Sequence, residues 1–206
     1  FQPREMVHPL FGAMPKTSLL AELQITQEYL GQSSDLVYLA PMWQEFLDSD
    51  TYADGKGSTV AKMLVASPMT GIAGVANTGR DRNWCGSDFA QANWYAFGRL
   101  AWNCNLTAEQ IAREWIRMTW SNDPQVVSTI WTMMRGSWEA CVNYEMPMGL
   151  TDMEEAGSHY GPDPARHQNY HQADAGGIGL DRGTNGSDAV SEYAPEVAAK
   201  YGNLST

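Results

Sequence analysis

Three groupings of residues in this chain have the types and spacing that chemistry needs. The first ends at Glu28. Along Leu19–Glu28 the residues alternate: Leu19, Ala21, Leu23 and Ile25 fall on one face, and Glu22, Gln24, Thr26 and Glu28 on the other. A carboxylate closing such a strand, with Gln24, Thr26 and Gln27 as orienting groups, suits hydrolysis of a glycosidic bond. That reaction uses one carboxyl group to protonate the leaving oxygen and another to activate water or attack the sugar. The plain alternative is a solvated Glu at a strand end. The second grouping is His159, His167 and His171, with Asp174 nearby. His167 and His171 stand four apart, a spacing a metal site uses on a helix. The stretch has no helical period, however, and no Cys or Glu completes a ligand set, so no metal is expected. Histidines that hydrogen-bond a sugar or a neighbouring domain fit better. The third grouping is Arg80-Asp-Arg-Asn-Trp84, directly after the apolar run Gly71–Asn77. It reads equally as the rim of an active face or as a surface salt-bridge loop. Gly176-Gly-Ile-Gly179 neither follows a strand nor opens a helix, so it is a poor phosphate cradle.

The elements that must position these groups divide near residue 105. Before it, short apolar runs alternate with Gly/Pro-rich connections. The run Asp35–Ala40 stops at Pro41 and is followed by a helical turn or two over MWQEFL. Gly71–Asn77 is a further candidate strand, whose glycines weaken it alone but allow close backbone approach. Ser87–Trp102 reads as a helix, with Phe89, Asn93, Phe97 and Leu100 on one stripe. The order strand, helix, strand, helix predicts α/β architecture. Past residue 105, Thr107-Ala-Glu-Gln110 is a capping box opening a helix with Ile111, Trp115 and Met118 on its apolar face. Asn122-Asp-Pro124 opens the next, and Val127, Ile130, Met134, Trp138 and Cys141 place one continuous stripe along it. The short turn between them predicts an antiparallel pair. From Gly149 to Gly186 the chain is rich in Gly, His, Asp and Pro and lacks periodicity, which in a compact domain often marks a functional stretch.

Composition bounds the partners. The net charge of −11, from 13 basic and 24 acidic residues, repels a phosphate backbone, and no basic stripe offsets it, so nucleic acid is excluded as a partner. No run of about 18 apolar residues occurs, so no membrane-spanning helix is expected. Cys85, Cys104 and Cys141 are odd in number and widely spaced, which predicts buried thiols rather than a disulfide framework. Eight Trp among 11% aromatic residues is the unusual feature of the composition; indole faces stack on sugars but more often anchor cores. Asn105-Leu-Thr, Asn185-Gly-Ser and Asn203-Leu-Ser match the N-glycosylation acceptor pattern, which arises readily by chance and leaves the compartment open. A bacterial cytoplasmic or periplasmic protein is favoured over a secreted one. The opening FQPREMVHPLFG has no initiator Met, basic region or apolar core of a leader, and reads as a piece of something longer.

Several segments carry a resemblance. FQPREMVHPLFGAMPKTSLLAELQITQEYL, DSDTYADGKGSTVAK, GIAGVANTGRDRNWCGSDFAQANWYAFGRLAWN and LTAEQIAREWIRMTWSNDP resemble the signature of the microbial α-glucuronidases of glycoside hydrolase family 67. HYGPDP and ADAGGIGLDR continue it more weakly, so that essentially the whole chain is covered. The resemblance implies an α/β fold: residues 1–104 as the last strands and helices of a catalytic (β/α)8 TIM barrel, and residues 105–206 as part of a mostly α-helical C-terminal domain, a fragment of the whole. It implies removal of α-1,2-linked glucuronic acid, or its 4-O-methyl form, from xylo-oligosaccharides with inversion. Aldouronic acids and glucuronoxylo-oligosaccharides are then the partners, with no cofactor, and the helical domain forms a homodimer. Inversion places two carboxyl groups roughly 6.5–9.5 Å apart with water between base and sugar. In the family an Asp and a Glu share the base role. The Glu belongs to the LQITQEY motif and corresponds to Glu28; the Asp immediately precedes FQPRE, ahead of Phe1, and the general acid lies further upstream. Gln24, Arg82, Asn83, Trp84 and His159 are the substrate-binding candidates. The chain departs from the family in three places. KMLVASPMTG shortens a loop, Ser158 stands where the first of two consecutive histidines is usual, and a Trp-containing insertion after Pro164 is lost. A chain without the upstream acid is expected to be inactive alone. The alternative to catalysis is a carbohydrate-binding or helical assembly module.

Overall fold

The computed structural model describes residues 18, 20–25, 36–66, 69–76, 82, 87–145, 191 and 193–201. Its sheet has two parallel strands, β1 (Leu20–Gln24) and β2 (Gly71–Val75), in register from Leu20 opposite Gly71 to Gln24 opposite Val75. The Ile25 N–H extends the ladder by donating to the Val75 carbonyl at 2.8 Å. Parallel strands need a crossover between them. Here it contains α1 (Ala40–Asp48) and α2 (Val60–Val65), which pack on one another. The helices that follow are α3 (Asp88–Trp102), α4 (Ala108–Thr119), α5 (Pro124–Arg135) and α6 (Ser137–Glu145), with α7 (Pro195–Tyr201) near the end of the chain. Among the described residues no helix is long and apolar enough to cross a membrane.

The period-two pattern sorts the sheet into two unlike faces. Leu23 and Ile25 are buried, and Ala21, Ile72 and Ala76 pack against the same core. Leu20, Glu22, Ala73 and Val75 are exposed on the opposite face, and Gln24 is half-buried there. Helix α3 covers the apolar face by packing on β2. Gly74 permits that approach: a Cβ there would lie 2.5 Å from Ile25 Cδ1 and 2.7 Å from Phe97 Cζ. The role expected of a strand glycine, close approach of a neighbouring element, falls to Gly74; at Gly71 a Cβ would make only an ordinary 3.7 Å contact with Leu20.

Local chemistry accounts for the helix starts. Thr59, Ser87 and Thr107 each accept a backbone N–H three residues on, and Thr107 forms the full capping box with Gln110. Asp123 accepts from both Gln125 and Val126 ahead of α5, with Pro124 at its first position. The core is continuous from the sheet through α1, α3 and α4 into α5 and α6, and includes Trp43, Leu100, Ile111, Ile116, Val127 and Met134. Each such aliphatic side chain contributes on the order of 1.5–3 kcal/mol by leaving water.

Three expectations from the sequence are corrected. Val37–Leu39 is buried, as its apolar run requires, but is not a strand. Its backbone is held by side chains instead: Leu39 N–H donates to Asn93 Oδ1 and Asn93 Nδ2 donates to the Val37 carbonyl, both at 2.8 Å, while Tyr38 N–H donates to Ser137 Oγ. The stripe Val127–Cys141 is not one helix, because the chain breaks at Gly136 between α5 and α6. Ser137 Oγ donates to the Met134 carbonyl at that break while accepting from Tyr38, and Trp138 stays buried beyond it. Met118 is 65% exposed; the buried face of α4 is Ala108, Ile111, Ala112, Trp115 and Ile116. The face turns because Ala112 and Ile116 extend the stripe toward the opposite side of the helix from Met118.

Candidate functional site

The strand ends are the candidate site. In parallel α/β folds, ligands meet the sheet where the strands terminate, because loops leave there and helices cover the faces. Gln24 and Val75 are the adjacent last residues of β1 and β2, joined past that point by the Ile25–Val75 hydrogen bond. Gln24 sits on the uncovered face with Glu22, Ala73 and Val75, at the very end of that face. The polar and small residues of this face are the part of the sheet that the helices leave open.

Of the site residues expected from sequence, Gln24 and Arg82 fall within the described residues. Gln24, expected inside a strand that runs on to Glu28, is the last residue of β1 among the described residues. Arg82 is exposed in a turn, seven positions after the last residue of β2. Glu28, Asn83, Trp84 and His159 lie outside the described residues, as do His167, His171 and Asp174. Among the described residues no group of three or more His, Cys, Asp or Glu is disposed to hold a metal ion. Cys104 and Cys141 are half-buried and form no disulfide, and Cys85 is outside the described residues.

The connection between α1 and α2 contains an acidic motif, and the structure shows what its residues do. Asp50 is buried, with Oδ1 accepting from Tyr52 N–H at 3.0 Å and Oδ2 from Gly57 N–H at 2.5 Å. Thr51 Oγ1 donates to the Ser58 carbonyl at 2.6 Å, and Lys62 Nζ donates to the Gly57 carbonyl at 2.7 Å. These bonds hold Tyr52 at φ 53 and let Gly55 and Gly57 take φ near 90, a region that suits glycine. Asp50 is therefore a brace for a tight loop, with both carboxylate oxygens engaged, and not an acid–base group. No sequence signal separated it from a catalytic Asp; its partners are backbone amides that only the folded loop brings round.

A second charged grouping clamps α3 to α4. Arg99 donates to both Glu114 oxygens, at 2.9 and 3.1 Å, and Tyr95 Oη donates to Glu114 at 3.0 Å. The Arg99 bonds hold the Glu114 carboxyl below its ordinary range, and burial with the Glu114 hydrogen bond pushes the Tyr95 phenol up. Tyr38 is buried, which raises its phenol strongly, and its O–H donates to the Ala108 carbonyl at 3.0 Å. Arg99, Tyr95 and Glu114 link α3 to α4, and Tyr38 ties the connection before α1 to the start of α4. An apolar cleft of about 360 Å³ opens between the start of α3, the end of α4 and the outer face of α5, lined by Leu36, Phe89, Trp120, Ile130 and Met133 among others. Its lining suits a hydrophobic contact more than a polar reactant.

Comparison with known proteins bears on the whole chain. Residues 1–84 match the glycosyl hydrolase family 67 middle domain, and residues 85–206 match the glycosyl hydrolase family 67 C-terminus. The chain is 42% identical to alpha-glucuronidase A of Emericella nidulans and to the probable alpha-glucuronidase A of Aspergillus clavatus, with 100% of this chain aligned in each case. It is 40% identical to the alpha-glucuronidase of Hypocrea jecorina, again over 100% of its length. The chain spans about a quarter of the length of these curated relatives, 26% in each. With the two family regions together covering residues 1–206, and with a small parallel sheet leading into a run of packed helices, this chain belongs to glycosyl hydrolase family 67.

Proposed function

We propose that this chain is part of an inverting α-glucuronidase that releases α-1,2-linked glucuronic acid, or its 4-O-methyl form, from xylo-oligosaccharides. The single observation that carries the reading is the match of this whole chain to a quarter of the length of alpha-glucuronidases. The fold supports it. The β1–β2 unit has a helix-covered apolar face and an open face that carries Glu22, Gln24 and Ala73 beside Leu20 and Val75, as two neighbouring strands of a (β/α)8 barrel do. We assign residues 1–104 to the end of that barrel and residues 105–206 to the helical domain, because α3 packs on β2 as a barrel helix covers its strand. Glu28 acts as the base or as one of two carboxylates sharing that role. In the sequence it continues the alternation of Glu22, Gln24 and Thr26. Gln24, Arg82, Asn83, Trp84 and His159 contact the aldouronic acid, and the helical domain pairs two copies of the protein.

In hydrolysis with inversion, the base takes a proton from water as the water attacks the anomeric carbon, while an acid on the other side protonates the departing xylose oxygen. Carboxyl groups alone can carry both proton transfers. The test is Glu28→Gln in the full-length enzyme. Turnover of aldouronic acids should fall by a factor on the order of 10²–10⁴, with an unchanged circular dichroism spectrum. Near-wild-type turnover would refute the assignment.

A further inference from the structure

Trp102 ends α3 with its indole 88% exposed, the most exposed of the large apolar side chains described. It takes no part in the core. At that exposure the indole has little of the burial that usually explains a tryptophan. The residues after it form a tight reversal. Asn103 N–H donates to the Arg99 carbonyl, Leu106 N–H donates to the Asn103 carbonyl at 3.2 Å, and Asn103 Oδ1 accepts from Asn105 N–H at 3.0 Å. Asn105 is thus presented at the tip of a turn, exposed, three positions beyond Trp102. Asn105-Leu106-Thr107 is an N-glycosylation acceptor, and of the three such tripeptides in the chain it is the one within the described residues.

We propose that Asn105 carries an N-linked glycan and that Trp102 is the platform on which its first sugar stacks. In the transfer, Asn105 Nδ2 attacks C1 of the reducing-end N-acetylglucosamine of a lipid-pyrophosphate oligosaccharide. The C1–N bond forms, the C1–O bond to the pyrophosphate breaks with the electron pair leaving on oxygen, and one amide proton passes to base. The Thr107 hydroxyl required at the second position is available because transfer acts on the emerging chain, before Thr107 takes up its role as the cap of α4. After folding, the turn keeps Asn105 pointing to solvent, so a glycan is accommodated without moving a packed residue. The amphipathic face of a sugar ring fits a flat indole, and covering Trp102 removes apolar surface from water.

The test uses the full-length protein secreted from a yeast or filamentous-fungal host. Trypsin cleavage at Arg99 and Arg113 frees one peptide, Leu100–Arg113, that contains both Trp102 and Asn105. It should be recovered as a glycopeptide, and peptide-N-glycosidase in heavy-oxygen water should convert Asn105, but not Asn103, to labelled Asp. Recovery of that peptide wholly unmodified from the secreted protein would overturn the proposal. Stacking is read separately by hydroxyl-radical oxidation of Trp102, measured on the same peptide after deglycosylation. Oxidation should be several-fold slower in the glycosylated protein than in Asn105→Gln. Equal rates would overturn the platform role of Trp102. Neither readout depends on hydrolytic activity.

Discussion

Asn93 holds the segment ahead of α1 in place, and the structure sets the cost of losing it. Its carboxamide accepts from Leu39 N–H and donates to the Val37 carbonyl, both at 2.8 Å, with Asn93 5% and Leu39 1% exposed. Asn93→Ala orphans one buried donor and one buried acceptor. At about 1–3 kcal/mol each, the loss is about 2–6 kcal/mol. A water admitted to the vacated space would find these two partners and soften the cost, so about 2–4 kcal/mol is expected. Urea unfolding followed by far-ultraviolet circular dichroism measures it. With a slope of about 1–3 kcal/mol per molar, the midpoint should fall by about 0.7–4 M at unchanged slope. A second variant separates hydrogen bonding from packing. Asn93→Asp keeps the acceptor for Leu39 but turns a second oxygen toward the Val37 carbonyl. Burial raises the folded-state pKa of that carboxyl above its unfolded value. The folded form then holds the proton more tightly, so stability lost at neutral pH returns as pH falls through the raised folded value toward the unfolded one. Asn93→Ala has no such trend. A loss below about 1 kcal/mol in the alanine variant, or parallel pH profiles for the two variants, would refute the clamp.

The remaining predictions rest on packing and on one ion pair. Gly74→Ala drives a methyl group against Ile25 and the Phe97 ring and should destabilise by about 1–3 kcal/mol in the same urea assay, with Phe97→Leu in the Gly74→Ala background restoring part of the loss; a neutral Gly74→Ala would show that α3 does not seat on β2 as described. Glu114 has a depressed folded pKa, so its pairing with Arg99 and Tyr95 stabilises above the unfolded pKa and is lost as pH falls through the folded one. The difference in melting temperature between wild type and Glu114→Gln should therefore narrow through the acidic range, and a constant difference would remove the ion pair from the account.

Much of the fold was legible because its signals are local. The caps at Ser87, Thr107 and Asp123 are short-range hydrogen bonds, so the starts of α3, α4 and α5 follow from a few adjacent residues. The alternation before Glu28 likewise fixes which face of β1 meets the core, since a strand's side chains have a strict period of two. The long specific motifs identified the family. The site was less legible, since residue type distinguishes neither Asp50, bound within its loop, nor Asn93, facing a backbone 54 and 56 positions away, from groups free to react.

By itself, then, the sequence determined the family, the α/β order of elements, most helix starts and the polarity of the first strand's two faces. Only the tertiary structure decided what its apolar runs became. Val37–Leu39 has strand-like residues but becomes a pinned connection, because its hydrogen-bond partners are side chains on α3 and at the start of α6 rather than another strand. The stripe through Cys141 is split at Gly136, where Ser137 is drawn to Tyr38 across 99 positions of sequence. Met118 lost its place in the core to Ala112 and Ile116, whose side of α4 the neighbouring helices cover. Periodicity states that a residue can be buried; which partner arrives, and from how far along the chain, is settled when the elements pack.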